Sequence, residues 1–115
     1  MASAKAIAKF VRVAPRKARL VADLVRGKKV SEARAMLEFT QKGAAPLVGK
    51  LLASAVANAE SVAAERDERI DSDEMIISDI QVQDGPTMRR FQPSARGRAG
   101  RIRKRSSHIS MEISE

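Results

Sequence analysis

The chain has 115 residues, room for one domain around one hydrophobic core. Lys and Arg total 22 against 14 Asp and Glu, a formal net charge of +8 with a pI near 10.6. There is no Cys, Trp or Tyr and a single His. Disulfide frameworks, thiolate metal sites and Cys nucleophiles are therefore excluded, and Ser-His-Asp chemistry or a zinc site would have to run through His108 alone.

The first 22 residues contain no acid, as a transit peptide would, yet they hold one Ser and run directly into helical patterning. They read as part of the domain. No apolar run is expected to reach the roughly 20 residues that span a bilayer. Ala14-Pro15 opens a helix that ends at Gly27, with proline at the first turn and glycine at the stop. Leu20, Val21, Leu24 and Val25 form its apolar stripe, and Lys17, phased with that side, must snorkel. Arg19 and Arg26 are expected on the opposite face, with Arg16 on the flank. Ser31 is expected to cap a second helix, with Glu32 in its first turn and Met36 and Leu37 as anchors. Gly43 ends the connection.

A third helix is expected from Pro46 to about Arg66, with an apolar stripe of Leu47, Val48, Leu51, Leu52, Ala55, Val56, Ala59, Val62 and Ala63. Asn58 falls in that stripe and needs a hydrogen-bond partner. The acidic stretch Glu65 to Glu74 has no His or Gly-rich loop and no calcium-loop spacing, so it reads as a solvated connector.

From Met75 the period becomes two. Met75 and Ile77 share one phase while Ile80 and Val82 share the other, which predicts a bulge near Ser78-Asp79. Ile109, Met111 and Ile113 alternate again. Pairing Val82 with Ile109, or Ile80 with Met111, gives one midpoint, 95.5, inside the turn-rich Pro93-Ser94-Ala95-Arg96-Gly97. The same register sets Met88–Arg90 opposite Arg101–Arg103. Allowing ~3.3 Å per residue, the part beyond Gly85 reaches roughly 35 Å past the helical body. A two-stranded ribbon carrying eight cations is expected to be frayed alone and ordered by a polyanion.

The charge is segregated. Residues 1–64 hold 12 bases and 4 acids, residues 65–84 hold 2 and 8, and residues 85–115 hold 8 and 2. All eight of those last bases lie between Arg89 and Arg105, a stretch with seven Arg and no acid. Such a block points to nucleic acid. Few aromatics and abundant Arg favour recognition of RNA shape and phosphate over reading of bases. The alternative is an architectural duplex-DNA binder with β-ribbon arms. Against it, no helix follows the hairpin and no dimer-forming helix pair is evident. The candidate RNA-binding residues are Arg12, Arg16, Lys17, Arg19, Arg26, Lys28 and Lys29 on the body, and Arg89, Arg90, Arg96, Arg98, Arg101, Arg103, Lys104, Arg105, Ser106, Ser107 and His108 along the hairpin.

VRVAPRKARLVADLVRGK (residues 11–28), SAVANAE (54–60) and GPTMRRFQPSARGRAGRIRKRSSHI (85–109) together resemble the bacterial large-subunit ribosomal protein family L-twenty-two, along essentially the whole chain. Ala14 stands where that family usually has Ser or Thr, and Ser94 where it usually has a base. The resemblance implies an α+β fold in one domain, 1–115: three helices packed on a small antiparallel sheet, two of whose strands extend as a long basic β-hairpin. Residues 1–84 and 106–115 would form the body and 85–105 the hairpin. It implies a cytoplasmic, ribosomal, non-enzymatic protein without cofactor, metal or membrane, and with no homo-oligomer expected. Its implied partners are large-subunit rRNA, neighbouring large-subunit proteins and the nascent peptide, with Met88, Arg89, Arg90 and Phe91 lining the peptide exit tunnel.

Overall fold

A strand that sequence reasoning did not foresee begins the chain. In a computed structural model that describes residues 3–41, 43–85, 88–93, 99–104 and 106–115 (backbone only within 88–93 and 99–104), β1 spans Ser3–Val11. Its inward positions are Ala4 and Ala6, both buried. Alanine is a poor strand former, so the alternation carries little β signal. Small side chains nevertheless suit this place, because β1 lies under the longest helix, whose buried face is itself rich in alanine.

Helix α1 (Pro15–Val25) starts at the expected proline and stops before Gly27, whose φ of +79° suits glycine. Its buried face is Ala18, Val21, Ala22 and Val25. Leu20 and Leu24, assigned to the core from spacing, are instead 52% and 40% exposed. The helix is rotated so that alanines allow close approach. Helix α2 (Val30–Phe39) begins one residue before Ser31, with Lys29 at the N-cap and no side-chain cap. Val30, Ala33 and Leu37 are buried there, and Met36 only partly.

Helix α3 (Ala45–Glu65) matches its expected span. By length and composition alone it is apolar enough to cross a bilayer, which departs from the sequence expectation, but eight of its residues, among them Val48, Leu52, Ala55 and Ala59, pack into the core. Leu47 is only partly buried and Val62 is exposed. The Asn58 amide donates to the Lys5 carbonyl at 2.9 Å and so ties α3 to β1.

After a short 3₁₀ turn (Ser72–Glu74) the chain forms β2 (Ile76–Asp84), and after the ribbon β5 (Ser107–Ser114). The sheet order is β1-β5-β2, both pairings antiparallel, with the last strand in the centre. The expected pairs Val82–Ile109 and Ile80–Met111 are present, and the register shifts between Ile77 and Asp79, at the expected bulge. Ser107, Ile109, Met111 and Ile113 point into the core under the helices, while His108, Ser110, Glu112 and Ser114 line the half-open outer face. Burying each of Ile77, Ile80, Ile109 and Ile113 contributes about 1.5–3 kcal/mol.

Strands β3 (Met88–Pro93) and β4 (Ala99–Lys104) form the ribbon. Met88 pairs with Lys104, Arg89 with Arg103 and Arg90 with Ile102. This corrects the expected register by one position. Three residues separate Asp84 from Met88 but two separate Lys104 from Ser107, so a midpoint drawn from β2 and β5 cannot carry through. The molecule extends 66 Å along its long axis and only 27 and 16 Å across.

Candidate nucleic-acid interface

The cations of α1 divide into two sets. Arg19 donates to the Val82 carbonyl at 3.2 Å and pairs with Asp84 at 3.3 Å. Arg26, two turns later, donates to the Ile80 carbonyl at 2.7 Å and also bonds Asp23. Both guanidinium groups therefore lie along β2, on alternate outward carbonyls, and not on the opposite face as expected. They complete an edge that the α1–α2 linker begins. Gly27 N–H donates to the Ile77 carbonyl, Ile77 N–H to the Lys28 carbonyl and Val30 N–H to the Met75 carbonyl. An exposed strand edge is thus closed by backbone and arginine together.

Lys29 is likewise engaged. Its ammonium hydrogen-bonds Glu74 at 3.0 Å, and this bond, with the attraction of the same carboxylate, raises its pKa. Arg34 faces Asp73 at 3.5 Å, and Ser72 bonds Glu60. The acidic stretch is therefore more than a solvated connector: its end clamps α2 and α3. Among the described residues no cluster of acids or His is arranged to hold a metal.

The second set is Arg12, Arg16, Lys17 and Lys28, all exposed and none in an ion pair among the described residues. Arg12 and Lys17 border a groove of about 620 Å³ floored by Val13, Ala14, Leu20, Ala44 and Leu47. No acid lines it. Here the exposed Leu20 finds its place, as the wall of a basic, apolar-floored cleft. Unpaired guanidinium and ammonium groups above such a floor bind phosphate without first breaking an internal bond.

At the base of the ribbon, Ser107 is fully buried and donates to the Val13 carbonyl at 2.7 Å, so this candidate serves the fold and presents no hydroxyl to a partner. Ser106 is buried too and packs on Gly85, whose N–H donates to its carbonyl at 2.9 Å. His108 is half-buried, and its Nδ1 accepts from Phe10 N–H at 3.0 Å. Phe10 carried no sequence signal. It sits in a bulge of β1 with φ +57°, stacked edge-to-face on the imidazole at 4.9 Å. Arg89, Arg90, Arg101, Arg103 and Lys104, with the tunnel candidates Met88 and Phe91, fall on β3 and β4, where side chains lie outside the description. Arg96, Arg98 and Arg105 lie outside the described residues.

Comparison with known proteins agrees along the whole chain. A family model described as ribosomal protein L22p/L17e matches residues 6–114. The chain is 54% identical over 112 residues to the large ribosomal subunit protein uL22 of Oceanobacillus iheyensis, covering 97% of this chain and 95% of that one. It is 52% identical over 115 residues to the protein of the same name from Desulfitobacterium hafniense, covering 100% and 96%.

Proposed function

The chain belongs to the ribosomal protein L22p/L17e family, and from that membership we infer that it is a structural, non-enzymatic constituent of the bacterial large ribosomal subunit. The observation that carries this reading is the family match over residues 6–114. Within the subunit, Arg12, Arg16, Lys17 and Lys28 on the body bind large-subunit rRNA by phosphate neutralisation. The bases between Arg89 and Arg105 do the same along the hairpin. Met88 to Phe91 line the nascent-peptide exit tunnel, and the protein assists assembly by joining RNA segments that its 66 Å length can span. Arg19, Arg26 and Lys29 support this surface indirectly, by holding α1 and the α1–α2 linker against β2 and the 3₁₀ turn.

The direct test is sedimentation. A tagged copy expressed in its own host is expected to remain with large subunits through a high-salt wash, and recovery in the soluble top fractions would overturn the reading. Competition at matched salt separates RNA from DNA: a large-subunit rRNA transcript should displace the protein from duplex DNA, and duplex DNA should not displace it from the transcript.

A further inference from the structure

Phe10 is placed in a way that the packing of this protein does not explain. Between the pairs Ala8–Ile109 and Val11–Ser107, two residues of β1, Lys9 and Phe10, face the single residue His108. Phe10 takes the extra residue's conformation, φ +57°, a region that L-amino acids with bulky side chains rarely occupy. A buried side chain could repay that strain, but Phe10 is 64% exposed. It is held nonetheless: its N–H donates to His108 Nδ1, and its ring stands at 89° to the imidazole. A perpendicular neighbour covers at most one side of the ring. The result is a fixed aromatic surface turned to solvent at the end of the sheet where β5 leaves the ribbon.

The surroundings select the occupant. Lys9 and Arg12, on either side in the chain, are exposed, and no acid occurs before Asp23. With Nδ1 accepting, a neutral His108 carries its proton on Nε2, which adds a donor. The acid in this part of the sheet, Asp84 opposite Ser107, is held by Arg19. An exposed aromatic face with His108 against it and cations on either side of it in the chain fits a nucleotide, base on the ring and phosphate on the cations, better than an apolar protein side chain. We propose that Phe10 is a stacking platform for one unpaired base of the RNA, held rigid by the β1 bulge and His108. The inference rests on the RNA-binding reading above.

The test uses the full chain and an in vitro transcript of large-subunit rRNA. Phe10→Gly removes the ring while suiting the positive φ, so its melting temperature should equal or exceed that of the unaltered protein. Its affinity should fall by about 5- to 150-fold, as loss of one stacked base predicts. The slope of log affinity against log salt should not change, since no charge is removed. Phe10→Trp introduces the only indole into a chain without Trp or Tyr. It should retain affinity, and its emission should be quenched saturably as the transcript is added. Both results are required. Affinity of Phe10→Gly within twofold of the unaltered chain, a changed salt slope, or unquenched indole emission would each overturn the platform while leaving RNA binding intact. Failure of the unaltered chain to bind the transcript would overturn both readings.

Discussion

Replacing Arg26 with Gln separates two roles that a basic residue on α1 can have. The Arg26 side chain is 47% exposed, and it donates to the Ile80 carbonyl at 2.7 Å and to the Asp23 carboxylate. A hydrogen bond from a charged donor is worth about 1.5–3 kcal/mol when shielded, and half-exposure leaves roughly 1–1.5 kcal/mol. The Asp23 pair, at i,i+3 on an exposed helix face, adds about 0.3 kcal/mol. Loss of roughly 1.5 kcal/mol in a domain of this size lowers the melting temperature by about 5–10 °C. Thermal unfolding followed by circular dichroism measures that shift. Titration of an rRNA transcript across a salt series measures the second role. If Arg26 staples α1 to β2, the salt slope of Arg26→Gln stays at the unaltered value. Arg12→Gln and Arg16→Gln provide the contrast: each should lower the slope by about one unit and leave the melting temperature unchanged. An Arg26→Gln variant that melts normally but loses a unit of slope would refute the assignment and restore Arg26 to the RNA surface.

Deleting Ser78 removes the extra residue of the bulge and leaves Met75, Ile77, Ile80 and Val82 in one continuous alternation with their β5 partners unchanged, so the cost should stay within about 1 kcal/mol, that of the exposed Ser78–Glu112 hydrogen bond. A loss of more than about 3 kcal/mol in urea unfolding would show that apolar side chains had been turned outward and that the bulge does more than correct the phase. Lys29 is held above its ordinary value of 10.5 by the hydrogen bond and charge of Glu74, so its contribution is complete below that pH and is lost as pH rises through the folded-state value. As pH rises past 10.5 the stability gap between the unaltered chain and Lys29→Met should therefore close, and a constant gap would refute the link. A Cβ added at Gly85 would lie 2.6 Å from Ser106 Oγ and 3.2 Å from its carbonyl carbon and oxygen. Gly85→Ala should accordingly destabilise by about 1–3 kcal/mol in denaturant unfolding, and an unchanged midpoint would show that the base of the ribbon yields freely.

The sequence alone determined those features in which one residue's neighbours along the chain set its conformation. Pro15, Gly27 and Pro46 bound the helices because they act on local backbone geometry. The switch from Met75-Ile77 to Ile80-Val82 revealed both the bulge and the β2–β5 register, because a period of two leaves no freedom in which face is buried. The acid-free block from Arg89 to Arg105 is likewise a property of the sequence alone, since such a block cannot be neutralised by its own neighbours. Only the tertiary structure decided what depends on a distant partner. Leu20 and Leu24 carry the same helical phase as Val21 and Val25, yet a small rotation of α1 that seats Ala18 and Ala22 in the core leaves both leucines in water. Arg16 and Arg19 are chemically identical, and only Arg19 meets a strand carbonyl, Val82, 63 positions away in sequence. Phe10 owes its conformation to His108, 98 positions on, through a hydrogen bond that no local pattern encodes. Hydrophobic phase is a property of a segment, whereas the partner of a polar group is a property of the assembled fold.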